Sequence, residues 1–147
     1  MSGLNNSINE AEAEIIEAFS FLETWDEKYE YIIELGKRLP VLEDKHKLEE
    51  NIVRGCQSTV WLWAREEDGI IYFEADSDAI IVKGLVSMLI KVLSGRRAED
   101  IISAQLSFID KIGMTSHLAQ TRSNGLLAMV KQMKHYAIAY QLKHTKQ

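Results

Sequence analysis

Val60-Trp61-Leu62-Trp63-Ala64, Glu67-Asp68-Gly69 and Ile70-Ile71-Tyr72-Phe73-Glu74-Ala75 together read as a β-hairpin. Both flanks are β-branched and aromatic, which suits a pleated, half-buried surface. The middle triplet is a turn, with Gly69 placed where a positive φ is needed. Just upstream, Ile52 to Cys56 is a short segment that reads as a third strand entering a turn. Downstream, Asp76 or Ser77 can N-cap a helix that runs to about Ser94 and stops at Gly95. Its polar residues Lys83, Ser87 and Lys91 stand four apart and form one narrow stripe, so the rest of its surface is apolar and belongs in a core.

The flanking segments are helical. Ala11, Ile15, Ala18, Phe19 and Leu22 recur at helical spacing between about Asn9 and Leu22. Asp26 and Glu27 open a second helix with an apolar face of Tyr29, Ile32, Ile33, Leu35 and Leu39, ended by Pro40. Val41 to Glu50 is a charged connection with room for one helical turn. Arg97 to Ser103 and Leu106 to Ile112 read as short helices, and Gly113 to Gln120 as a loop. From about Thr121 a long helix presents Leu126, Met129, Val130, Met133, Tyr136, Ala137 and Tyr140 on one face, as packing groups rather than a cofactor box. The expected class is α+β, a small antiparallel sheet packed against helices. One domain over 1–147 is expected, with residues 1–7 frayed.

Composition narrows the function. The 147 residues are 46% hydrophobic and 27% charged, the balance of a folded globular chain. A single cysteine excludes a disulfide scaffold, a dithiol redox site and a metal site built from several thiolates. The net charge of −5 argues against broad nucleic-acid binding. That charge is unevenly spread: residues 1–110 hold all 22 acidic side chains against 11 basic ones. Residues 111–147 hold Lys111, Arg122, Lys131, Lys134, Lys143 and Lys146 and no acidic side chain. This is either a solvated face attracted to the acidic remainder or a docking surface for an acidic partner. The polar N-terminus does not read as a signal peptide, and Ala79 to Leu93 is too short and too charged to span a membrane. A cytoplasmic protein with a reduced thiol is expected.

Chemistry concentrates on that thiol. His46, His117, His135 and His144 share no metal-ligand spacing, and no metal site is expected. His135 and His144 read as solvated. No phosphate loop, dinucleotide fingerprint or nucleophile elbow is present. Cys56 lies in Arg54-Gly55-Cys56-Gln57-Ser58-Thr59-Val60-Trp61. A lone cysteine is by default a buried small hydrophobe. Against that default, Gly55 frees the backbone for a turn, polar residues follow at once, and Arg54 brings a positive charge that favours thiolate. A single thiol can accept sulfur from a persulfide and pass it on, and with no resolving cysteine it suits a carrier between proteins.

These residues resemble the SufE family. The resemblance rests on Trp25-Asp26-Glu27-Lys28-Tyr29 with Tyr31 to Pro40, on Gly55-Cys56-Gln57-Ser58 before Val60-Trp61, on Asp76-Ser77-Asp78 before Ile81-Val82-Lys83-Gly84-Leu85, and on His117-Leu118 with Arg122-Ser123-Asn124-Gly125-Leu126. It implies a fold like the IscU-type scaffolds. It also implies that Cys56 takes sulfur from a SufS-type cysteine desulfurase, stimulates that enzyme, and passes the sulfur to a SufB-type iron–sulfur scaffold complex. The chain would be an accessory protein rather than a stand-alone enzyme, without a cofactor of its own, since pyridoxal phosphate belongs to the desulfurase. Gly55, Gln57, Asp76, His117 and Arg122 would support the cysteine loop. That loop would shelter the thiol at rest and move outward on docking. Homodimers occur in the family. CsdE is a sister family, and Gln57-Ser58 favours the SufE side. The alternative is an adaptor that activates a desulfurase by docking alone; a cluster scaffold is disfavoured by the single thiol.

Overall fold

The hairpin forms where the sequence puts it. In the computed structural model, which describes residues 7–56, 58–114 and 120–145, β1 (Val60–Glu67) pairs antiparallel with β2 (Ile70–Ser77). Asp68 and Gly69 both have positive φ, as a two-residue hairpin turn matched to strand twist requires. The third strand is not Ile52 to Cys56. Ile52 makes an isolated bridge to Trp61, and the chain then turns at once. The paired third strand is β3 (Arg96–Arg97), which lies beside Ile70 and Ile71 on the far side of β2. Two charged residues carried no strand signal; they pair because Gly95, at φ 78°, turns the chain back onto β2.

The helices among the described residues are α1 (Ile8–Ser20), α2 (Trp25–Lys37), α3 (Ile80–Leu93), α4 (Ala98–Ser103), α5 (Phe108–Lys111) and the long α6 (Gln120–Thr145). Ser7 and Glu10 form a reciprocal capping box on α1, so Ser7 is placed rather than frayed. Thr24 and Glu27 do the same for α2. α3 lacks the expected cap. β2 runs on through Asp76 and Ser77, Ala79 occupies the N-cap position, and Ser77 Oγ accepts only the Ala79 N–H. The 41–50 connection holds two short 3₁₀ turns, Asp44–His46 and Glu49–Asn51, rather than one helical turn.

The inner face of the sheet (Val60, Leu62, Ala64, Ile71, Phe73 and Ala75) is buried against the helices. The outer face carries Trp61 and Trp63 half-buried, with the His46 ring stacked on Trp63 at 3.6 Å and Lys47 Nζ 5.6 Å from the Trp61 ring. α3 is the centre of the core, with Leu85, Leu89, Val92 and Leu93 almost wholly buried. Its contact with α2 is backbone against backbone. A Cβ on Gly36 would lie 2.8 Å from the Gly84 nitrogen, and one on Gly84 would overlap the Ile32 carbonyl.

α6 lies along the free edge of β1. Tyr136 Oη donates to the Leu62 carbonyl at 3.2 Å, Tyr140 Oη donates to the Ala64 carbonyl at 3.1 Å, and His144 pairs with Glu66. His144, expected in solvent, is therefore tied to the sheet. The spacing explains the match: four helical residues advance about 6.0 Å and two strand residues about 6.6 Å. With the Val60 carbonyl accepting from Val53 N–H at 2.8 Å, successive outer carbonyls of β1 are occupied and the edge is closed to further pairing.

Gly84→Ala should be the most damaging single-methyl addition in α3, because the neighbour it meets is main chain and cannot rotate away. We expect a loss of about 3 kcal/mol, the upper range for overpacking, measured by urea denaturation. A loss near zero would mean that α2 and α3 separate freely.

Candidate functional site

Cys56 stands on a short loop with a fixed base. On the incoming side Val53 is buried and bonded to Val60, and Ile52 is bridged to Trp61. On the outgoing side Thr59 is held three ways. Its N–H donates to Asp78 Oδ1 at 3.1 Å, and its carbonyl accepts from the Asp78 N–H at 3.2 Å and from Ser77 Oγ at 2.9 Å. Between these clamps the chain turns at Arg54 and Gly55, where Gly55 adopts φ 96°, a region that favours glycine.

The loop tip rests on the N-terminal part of α6. Cys56 Sγ lies 3.5 Å from the Gly125 carbonyl oxygen, to which the thiol donates. Gly125 is buried, and a Cβ there would come 3.3 Å from Sγ. One turn on, the methyl of Ala128 would lie 3.2 Å from a Cβ on Gly55. Cys56 is half-buried and packs on the edge of the main core. Burial pushes its thiol pKa up, because the thiolate would lose solvation. Arg54 does not reverse this: it is exposed, and its guanidinium lies 3.7 Å from Glu49. The expected thiolate is thus a protonated thiol in this closed arrangement.

Asp76 lies across from Trp61 in the hairpin register. Its carboxylate takes Lys47 at 3.2 Å, Lys83 at 3.3 Å and the Ser77 N–H at 2.8 Å. Partial desolvation raises its pKa, but the Ser77 N–H and the two ammonium groups outweigh that and hold it below the usual carboxylate range. Asp76 therefore ties the 41–51 connection to α3, one layer behind the cysteine loop. The carboxylate that touches the loop is Asp78.

Of the residues expected to support the site, the structure brings Gly55 and Cys56 together at the tip and sets Asp76 behind them. Arg122 is the third residue of α6, one turn before Gly125, and its side chain lies outside the described residues. Gln57 and His117 also lie outside them. Sequence reasoning missed Gly125, Ala128, Asp78 and Lys47 as site residues. Gly125 had a readable signal, since a glycine inside a helical pattern costs about 1 kcal/mol relative to alanine and usually marks a close approach. The others had none, because side chains brought in from distant segments leave no local pattern. Among the described residues no group of three or more His, Cys, Asp or Glu is arranged to hold a metal ion. A cleft of about 600 Å³ lined by Glu12, Arg96, Arg97 and Asp100 includes no residue of the cysteine loop.

Comparison with known proteins agrees with this geometry. The family described as SufE, an Fe-S metabolism associated domain, matches residues 13–137. The chain belongs to the SufE family. It is 42% identical over 126 residues to an uncharacterised SufE-like protein of Rhizobium meliloti, covering 82% of this chain and 90% of that protein. It is 43% identical over 129 residues to another from Rhizobium etli, covering 84% and 87%. The solution structure of a hypothetical protein from Thermus thermophilus shares the fold, with a TM-score of 0.72 at 20% identity over 88% of this chain and 94% of that one. Membership places this SufE-type chain in iron–sulfur metabolism. No helix among the described residues is long and apolar enough to cross a membrane.

The Gly125 contact can be tested directly. Gly125→Ala and Gly125→Val put one and then three carbons where Sγ now rests, displacing the thiol toward water. Alkylation of Cys56 at pH 7.5 should rise from Gly to Ala to Val, on the order of tenfold for Val if the thiol pKa falls by about one unit. The pH midpoint of alkylation should move down from above the ordinary thiol range toward about 8.5. Equal rates in all three proteins would mean that Gly125 does not hold the sulfur.

Proposed function

We propose that Cys56 accepts a sulfane sulfur from a cysteine desulfurase and carries it to an iron–sulfur assembly scaffold. The observation that supports this most directly is a single thiol on a hinged tip, lodged against Gly125, in a chain of the SufE family. The transfer needs no second thiol in this chain. The Cys56 thiol loses its proton, and the thiolate attacks the outer sulfur of a persulfide on the donor's cysteine. A new S–S bond forms at Cys56, the donor's S–S bond breaks, and the donor cysteine leaves as a thiolate that takes up a proton. The sulfane sulfur keeps its oxidation state. In the second transfer a scaffold nucleophile attacks the outer sulfur, and Cys56 leaves as thiolate and regains its proton.

The partners in this reading are a SufS-type desulfurase, which carries the pyridoxal phosphate, and a SufB-type scaffold complex. The cytoplasm suits the reaction, because a reducing compartment keeps a lone thiol free. Shelter at Gly125 follows the same logic. A thiol with a raised pKa reacts slowly with oxidants and stray electrophiles between encounters. Docking must move the tip outward, which gives the sulfur both access and solvation. Gly55 supplies the backbone freedom for that movement, while the clamps at Val53 and Thr59 confine it to the tip.

Incubation with a SufS-type desulfurase and cysteine should add one sulfur, about 32 Da, to the peptide containing Cys56. Cys56→Ser should show no adduct and no stimulation of the desulfurase, while its thermal melt matches the native protein. Full stimulation by Cys56→Ser would overturn the carrier mechanism in favour of an adaptor that acts by docking.

A further inference from the structure

The outward face of α6 is unpartnered. Leu127, Lys131, Lys134, Ile138 and Leu142 follow at steps of four, three, four and four residues, so they share one narrow face of the helix. Leu127 is 66% exposed, Leu142 55% and Ile138 40%. Lys131 is exposed and Lys134 half-buried between them. The opposite face is spent on the fold, with Met129, Met133 and Ala137 buried and Tyr136 and Tyr140 bonded to β1. The stripe is about 22 Å long at the rise of an α-helix.

Its charge is not neutralised within the chain. Residues 111–147 hold no acidic side chain. Among the described residues, Lys131, Lys134 and Lys143 form no ion pair; Lys134 donates to the Ala104 carbonyl, and only His144 of this helix meets a carboxylate. The acidic remainder of the fold thus does not absorb the basic helix. A second copy pairing this face with itself by a two-fold axis would set Lys131 and Lys134 against like charges. An acidic surface with apolar anchors at heptad spacing is the complementary partner.

The stripe is also continuous with the thiol. It begins two residues after Gly125, whose carbonyl holds Cys56. The sulfur donor is the partner that meets the thiol in its closed position and has to draw it away from this helix. We infer that the Leu127–Leu142 face of α6 is the docking track for the sulfur donor, which meets it with an acidic helix carrying apolar residues at heptad spacing. The inference rests on the sulfur-acceptor reading and adds to it the surface and the chemistry of its partner.

The test is the affinity of the full chain for a SufS-type desulfurase, measured by titration calorimetry at low and high salt. Lys131→Glu/Leu142→Ser alters two exposed side chains that make no internal ion pair. We expect binding at least about tenfold weaker at low salt, with the gap narrowing near about 0.5 M salt as screening removes the native attraction. The melt and the Cys56 alkylation rate of the free variant should match the native protein, and at saturating desulfurase Cys56 should still gain sulfur. Lys131→Arg, which keeps the charge, should bind as the native chain does. Affinity within twofold of native for the double variant, with normal sulfur loading, would overturn the docking track and leave the acceptor chemistry intact. Weakened binding with no sulfur ever reaching native Cys56 would overturn the acceptor chemistry and leave the docking face standing. If the native chain sediments as a dimer that the double variant dissociates, the occupant is a second copy and the inference fails.

Discussion

The sulfur of Cys56 rests against a helix that offers no side chain at the point of contact. Everything around the site follows from that placement. Gly125 brings Sγ within 3.5 Å of a main-chain carbonyl, a distance that a Cβ at this position would contest. The helix can hold that position only if it is fixed to the strand from which the loop springs. Tyr136 and Tyr140 provide this, by donating to Leu62 and Ala64 of β1. The same strand anchors the incoming side of the loop, through Val53 at Val60 and through Ile52 at Trp61. Loop base and helix wall therefore share one support, and the tip between them is free to move without disturbing either.

The electrostatics agree with a resting state. A carbonyl acceptor and partial burial both favour the protonated thiol, so the closed position stabilises the unreactive form. Moving the tip into water removes both effects at once. Reactivity is then coupled to loop position, with no base held in contact with the sulfur among the described residues. Behind the loop, Asp76 joins Lys47 and Lys83, so that the 41–51 connection is pinned to α3 and the Trp-bearing face of the hairpin is covered. The mobile part is confined to a few residues, as suits a small device on a rigid base.

Much of this was legible in the sequence. The hairpin announced itself by β-branched and aromatic flanks around Asp68-Gly69, and α3 by its single polar stripe. Cys56 stood out because no other thiol competes with it. What was not legible depends on distant segments meeting. Arg96 and Arg97 form a strand only because a turn brings them back to β2, so no local propensity marks them. The segment Ile52 to Cys56 has strand-like residues, but its glycine adopts a positive φ and ends the pairing after one bridge. Arg54 looked like an activator of the thiol from its place in the chain, yet its guanidinium meets Glu49 and burial decides the protonation state. Asp76 and Asp78 were indistinguishable as loop partners until the strand register put one on the outer face and the other beside Thr59.

The central claim is that sulfur passes through Cys56 on its way between two proteins. The most direct measurement is a rapid-quench time course with sulfur-labelled cysteine, the desulfurase, this chain and a scaffold acceptor together. The account predicts that label appears on Cys56 before the acceptor, and then leaves Cys56 at a rate at least as fast as the acceptor fills. Label that reaches the acceptor first, or that sits on Cys56 while the acceptor fills at full rate, would contradict it.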